Sequence, residues 1–98
     1  MNKIKNLEEK YFIYFDDLRY TIDNNLVTLN NFVTNPNHRR KGIFTSFLKE
    51  LIEICRTDER NLRVEIHKSN CHPQKETIKY LISQGFIEVD KLLYEYKF

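Results

Sequence analysis

His38-Arg39-Arg40-Lys41-Gly42 sets consecutive cations against a glycine, at the point where an amphipathic helical pattern begins. Like charges in a row repel, so the run needs either an anion or full solvation. A helix start offers unpaired backbone N–H groups and the positive end of the dipole. Gly42 has no Cβ to hold a ligand off the main chain. These are the parts of a phosphate cradle. They are equally the parts of a solvated turn whose glycine serves geometry, and the local pattern alone leaves both readings open.

Other groups suited to chemistry lie further along. Glu65 and His67, at two-residue spacing, share one face of an alternating run and could take a proton through water. The same alternation describes a solvent-facing edge. Cys71 stands beside His67 and His72. It is either a nucleophilic or a passive thiol. That trio has zinc-ligand chemistry but no matching distant pair, so no metal is expected. Tyr80 is a proton donor or an ordinary half-buried tyrosine. Cys55 falls in an apolar stripe and reads as core.

The elements that would position these groups follow from periodicity. Residues 1–9 are polar and read as loosely attached. "YFIYF" (11–15) reads as a strand, Asp16-Asp17 as a turn, and "LRYTI" (18–22) as a second strand. Asp23-Asn24-Asn25 is a hairpin turn, since Asn and Asp tolerate the left-handed backbone region. A long strand over 26–34 is interrupted at Asn30-Asn31, as a β-bulge would interrupt it. Apolar residues at 44, 47, 48, 51 and 55 make one helical stripe over 43–56. The run 62–68 alternates as a strand. Pro73 suits the first turn of a second helix, on which Ile78, Leu81 and Ile82 form a stripe, and Gly85 ends it. A last hairpin joins 86–89 to 92–98 across Asp90-Lys91.

The order is β-β-β-α-β-α-β-β, an α+β class (α/β mixed) with one twisted mixed sheet, two main helices and one domain over 1–98. The unit over 26–68 should be a right-handed parallel crossover. A parallel pair in an otherwise antiparallel sheet opens where strand directions change, and such places hold ligands.

The succession of strand, "VTNPNHRRKGIF", amphipathic helix, strand, helix and "ISQGF" resembles the GNAT superfamily of acyl-CoA N-acyltransferases, over about residues 11–98. The resemblance is most specific over 32–48 and implies a GNAT-like fold. It lays the family's Arg/Gln-x-x-Gly-x-Gly/Ala pattern on Arg39, Arg40, Lys41, Gly42, Ile43 and Phe44. It implies that main-chain amides there hold the coenzyme A pyrophosphate, and that Phe32, Val33 and Thr34 run beside the pantetheine. The family's Gly-Phe pair matches Gly85-Phe86.

Three departures stand out. Phe44 occupies the place of a glycine or alanine, which is tolerable if its ring points to the core. The family's N-terminal strand and two helices, which build the acceptor pocket, have at most ten residues here. The family's acidic tyrosine falls on Leu81, and one helical step turns neighbouring Tyr80 by about 100°, toward the sheet edge or solvent.

The resemblance implies transfer of an acetyl group from acetyl-CoA to an amine, a protein lysine or N-terminus, without a metal. The candidate catalytic groups are then Tyr80, Glu65, His67 and Cys71, the last as an acyl acceptor. Asn30 and Asn31 would orient the acyl carbonyl or satisfy irregular backbone. A homodimer partner could complete the small cleft. The competing reading is a non-catalytic GNAT-like module binding a protein or nucleic acid through the basic loop. Sixteen basic and fourteen acidic residues leave a net charge of +2, too small to argue for nucleic acid or a membrane. Two cysteines and the absence of a long uncharged segment lead us to expect a reduced, cytoplasmic protein.

Overall fold

The computed structural model describes residues 3–38, 41–66, 74–96 and 98. It has three helices, α1 (Lys3–Tyr11), α2 (Ile43–Thr57) and α3 (Gln74–Ser83). Its five strands are β1 (Phe15–Asp23), β2 (Leu26–Thr34), β3 (Asn61–Glu65), β4 (Phe86–Asp90) and β5 (Leu93–Tyr96). They form one mixed sheet in the order β1-β2-β3-β5-β4. The β2–β3 pair is parallel and the other pairs are antiparallel. The α+β class and the parallel crossover are as the sequence predicts.

Topology decides where the helices go. β4 is antiparallel to β5, which is antiparallel to β3, so β4 runs parallel to β3. The β2-α2-β3 and β3-α3-β4 crossovers therefore step across the sheet in the same sense. Right-handed connections place α2 and α3 on one face. Val27, Leu29, Leu62 and Val64 meet Leu48, Leu51 and Cys55 of α2 and Leu81 of α3, all of them buried. Removing this apolar surface from water is the main stabilising term. Burial also pushes the Cys55 thiol up to about 11, where it is inert.

The N-terminal segment differs from expectation. Residues 3–11 are helical and bury Ile4, Leu7 and Tyr11. Polar neighbours dilute this stripe, so the sequence conceals it. "YFIYF" is not a separate strand. Tyr11 ends α1, Phe12–Tyr14 make a 3-10 turn, and Phe15 opens β1. Nor is Asp16-Asp17 a turn. The register shifts between Phe15 and Asp17, which absorbs Asp16 as a bulge. Cross-strand amides hold both acids in place: Asn35 Nδ2 donates to Asp16 Oδ1 at 2.9 Å, and Asn31 Nδ2 donates to Asp17 Oδ2 at 2.5 Å. The element order is thus α-β-β-α-β-α-β-β, with three helices.

α1 joins the face that carries α2. Tyr20 donates to Glu8 at 2.8 Å, and Lys10 pairs with Glu50 at 2.8 Å. The Tyr11 hydroxyl also donates to Glu50. Burial and Glu50 push the Tyr11 phenol up to about 12. Hydrogen bonds from Lys10 and Tyr11 hold the Glu50 carboxyl below its ordinary 4.5. A carboxyl depressed in the folded state stabilises fully above its unfolded value, and that contribution is lost as pH falls through the folded value. Glu50→Gln should therefore flatten the fall in stability below about pH 4.5, measured by urea unfolding. The Glu50 side chain is 40% exposed, so the change is at most about 1 kcal/mol.

The opposite sheet face carries no helix among the described residues. It presents Thr28, Arg63, Glu65, Ile87 and Glu95, as the pairing register requires. Arg63 Nε meets Glu95 Oε1 at 2.5 Å. Two turns complete the frame. Asn24 adopts φ 53° in the first hairpin, as its residue type allows. The last hairpin turns one residue later than expected, at Lys91-Leu92, with Leu92 at φ 56°. The Leu92 carbonyl accepts the Ile66 N–H at 2.9 Å.

Candidate active site

Among the described residues the parallel β2–β3 ladder runs from Leu26–Asn61 to Leu29–Val64, and the further pairs of β2 as far as Thr34 are with β1. The divergence begins at the predicted bulge. Pairing jumps from Arg19–Asn31 to Tyr20–Leu29, leaving Asn30 as the extra residue. A bulge bends and twists its strand, and here it turns β2 away from β3. Side chains replace the main-chain ladder at this mouth, where Asn30 Nδ2 donates to Glu65 Oε1 at 3.2 Å. The alternation of β3 places Glu65 on the helix-free face, because Leu62, Val64 and Ile66 are buried on the other.

Aromatic rings line the helix side of the split. Phe32, 6% exposed, stacks on Phe44 with centroids 4.5 Å apart and planes 11° apart. The Phe44 ring meets the edge of Tyr80 at 6.4 Å. Such contacts add to burial and fix ring orientation. Phe44 thus points inward and leaves its main chain at the helix start, so the family's small residue is not required there. Leu81 is fully buried in the core. Tyr80 is not turned to the sheet edge or solvent, as the helical phase alone suggests. Its hydroxyl is shielded from water and makes no hydrogen bond. Burial holds this phenol above its ordinary value, opposed in part by the nearby Thr45 hydroxyl.

Gly42 caps α2 in the left-handed conformation, φ 73°, and as a glycine supplies no side-chain cap bond. The first bond into the helix is Ser46 N–H to the Gly42 carbonyl at 3.0 Å. The N–H groups of Ile43, Phe44 and Thr45 therefore fall among the orphan donors of a helix start. A Cβ built on Gly42 would meet nothing within 4 Å, so the glycine answers the positive φ and leaves open space beside the amides. Lys41 is exposed next to it.

Further up the chain, the segment from Asn35 to His38 is anchored. The Asn35 N–H donates to the Tyr14 carbonyl at 2.9 Å, and its own carbonyl accepts His38 N–H at 2.8 Å. The Asn35 side chain also accepts Asn37 N–H at 2.9 Å. The His38 ring sits edge-on to Tyr14 at 5.0 Å. The Asx-turn preference of asparagine was the signal for this anchor.

The structure stacks Phe32 of β2 on Phe44 of α2, just after Gly42, sets Tyr80 against Phe44, and ties Asn30 to Glu65 across the end of the described ladder; Val33 and Thr34 follow Phe32 along β2. Arg39, Arg40, His67 and Cys71, with His72, lie outside the described residues. Among the described residues no group of three metal-ligating side chains occurs. No helix there is long and apolar enough to cross a membrane.

No family model matches the chain, and no curated protein matches it significantly. Among solved structures it is similar to that of Ard1 from Thermoplasma volcanium, with a TM-score of 0.56 and 16% identity. The likeness covers 94% of this chain and 74% of that one. At this identity it is a likeness of fold. The fold of this chain is GNAT-like.

Proposed function

We propose that the protein is an N-acetyltransferase that moves an acetyl group from acetyl-CoA to an amine, with a protein lysine or N-terminus as acceptor. The observation that carries this reading is the convergence, among the described residues, of a left-handed glycine at a helix start, the end of the parallel β2–β3 ladder and a buried phenol for which no hydrogen bond is found. Acetyl-CoA supplies an acyl group activated as a thioester. The amides of Ile43, Phe44 and Thr45, with Lys41 and the run before it, would hold the diphosphate. The open side of β2 at Phe32, Val33 and Thr34 would bond the amide-bearing arm, as a strand edge bonds a peptide.

Catalysis then rests mainly on holding the thioester beside the amine. Glu65 takes the proton that an ammonium must lose before it attacks. The nitrogen bonds to the acyl carbon and the carbon–sulfur bond breaks. Tyr80 donates its phenolic proton to the departing thiolate, and regains one from the acylated nitrogen. The net proton leaves through Glu65 to water. A phenol held above its ordinary value stays protonated, as an acid must. The open sheet face supports a macromolecular acceptor, since among the described residues no helix walls it in. Localisation in the cytoplasm and a homodimer belong to the same reading.

Titration of the protein with acetyl-CoA, followed by a thiol-release assay on a lysine-rich peptide, tests it. Micromolar binding with turnover is expected. Binding without turnover on any amine would favour a non-catalytic module, and no binding would end the reading.

A further inference from the structure

The link between Asn30 and Glu65 lies where the β2–β3 ladder stops. Asn30 is the bulged residue itself, so its side chain is aimed by the same distortion that opens the split. Its amide reaches across the mouth to the carboxylate at 3.2 Å. The two strands on either side are thus tied by side chains where main-chain bonds end. On the helix-free face around Glu65, Arg63 and Glu95 are already engaged with each other. From β2, Thr28 and Asn30 bring only neutral groups to this face.

We infer that Asn30 is a positioning residue, which fixes the Glu65 carboxylate at the mouth of the split so that it meets an incoming amine. The inference rests on the acyl-transfer reading above. A carboxylate on a strand end has rotamer freedom that each donor helps to remove. A base displaced by about 1 Å loses on the order of 100-fold in rate, so holding it matters. The donor comes from the strand that departs, so the carboxylate is fixed in relation to the gap and not merely to its own strand. Both substrates would then be present together, with the amine on the face opposite the buried phenol.

The test is a double-mutant cycle on the whole chain, with acetyl-CoA and polylysine as probes. Glu65→Gln should lower kcat by about 100-fold or more. Asn30→Ala should lower kcat by about tenfold, with acetyl-CoA affinity and the KM for polylysine unchanged. The double variant should match Glu65→Gln alone, because Asn30 acts through that carboxylate. Asn30→Asp keeps shape and places a like charge beside Glu65, and it should lower kcat more than alanine does. Equal melting temperatures across the set exclude a mere loss of fold. Multiplying effects in the double variant would overturn the inference, as would a change confined to KM or to stability. A wild-type protein without turnover would remove the acyl-transfer reading and this inference together. An active wild type with a multiplying cycle removes the inference alone.

Discussion

Gly42→Asp weakens acetyl-CoA binding by at least about 100-fold and leaves the fold standing. The first half follows from charge. The new carboxylate occupies the space beside the first amides of α2, where, its chain neighbours apart, no described residue comes within 4 Å of a Cβ at this position. Two unit charges about 5 Å apart at an effective dielectric of about 20 repel by about 3 kcal/mol, and about 2.7 kcal/mol already makes 100-fold. The second half follows from backbone chemistry. A side chain at φ 73° strains the main chain by about 1–2 kcal/mol, least for Asp and Asn. An acid at a helix start returns about 0.3–1 kcal/mol of this through the dipole. Calorimetric titration reads the affinity and a melting curve reads the fold. Undiminished binding by a folded variant would mean that the diphosphate sits elsewhere.

Tyr80→Phe should separate activity from stability. Loss of the acid is expected to lower kcat by about 100- to 1000-fold, within the range for a positioned proton donor. Acetyl-CoA affinity should hold, because the Phe44 contact depends on the ring and not the hydroxyl. Stability should rise by about 1 kcal/mol, since a buried hydroxyl without a hydrogen bond is a penalty that phenylalanine lacks. A merely structural tyrosine would show the stability gain with kcat intact. That result, from stopped assays on the purified variant, would withdraw the acid assignment.

Much of the frame around this candidate site was legible in the sequence, for identifiable reasons. Gly42 announced itself because only glycine is at ease at positive φ ahead of a helical stripe. The Asn30 bulge showed as two amides breaking an apolar alternation, and the pairing jump sits there. The burial of Phe47, Leu48, Leu51 and Cys55 matches the stripe read from period alone. The failures are equally physical. α1 was missed because three inward residues among lysines and glutamates carry little periodic signal, and packing on α2 rather than propensity holds it. Asp16-Asp17 passed for a turn because the cross-strand partners Asn35 and Asn31, which fix both acids, are distant in sequence. Tyr80 was oriented by phase alone. Phase places Leu81 correctly but does not show that Phe44 reaches over to take the neighbouring ring.

Leu92 has a reach that its distance from any ligand conceals. A branched side chain seldom holds φ 56°, and that conformation is strained. Its carbonyl nevertheless grips the main chain just past Glu65, while β5 pairs Leu93 with Glu65 itself. The hairpin therefore works as a spring clip on the far border of β3, and it sets the angle at which that strand leaves the mouth. Relaxing the clip would let β3 pivot, so evolution could retune the opening from a remote loop without altering any residue that touches a substrate.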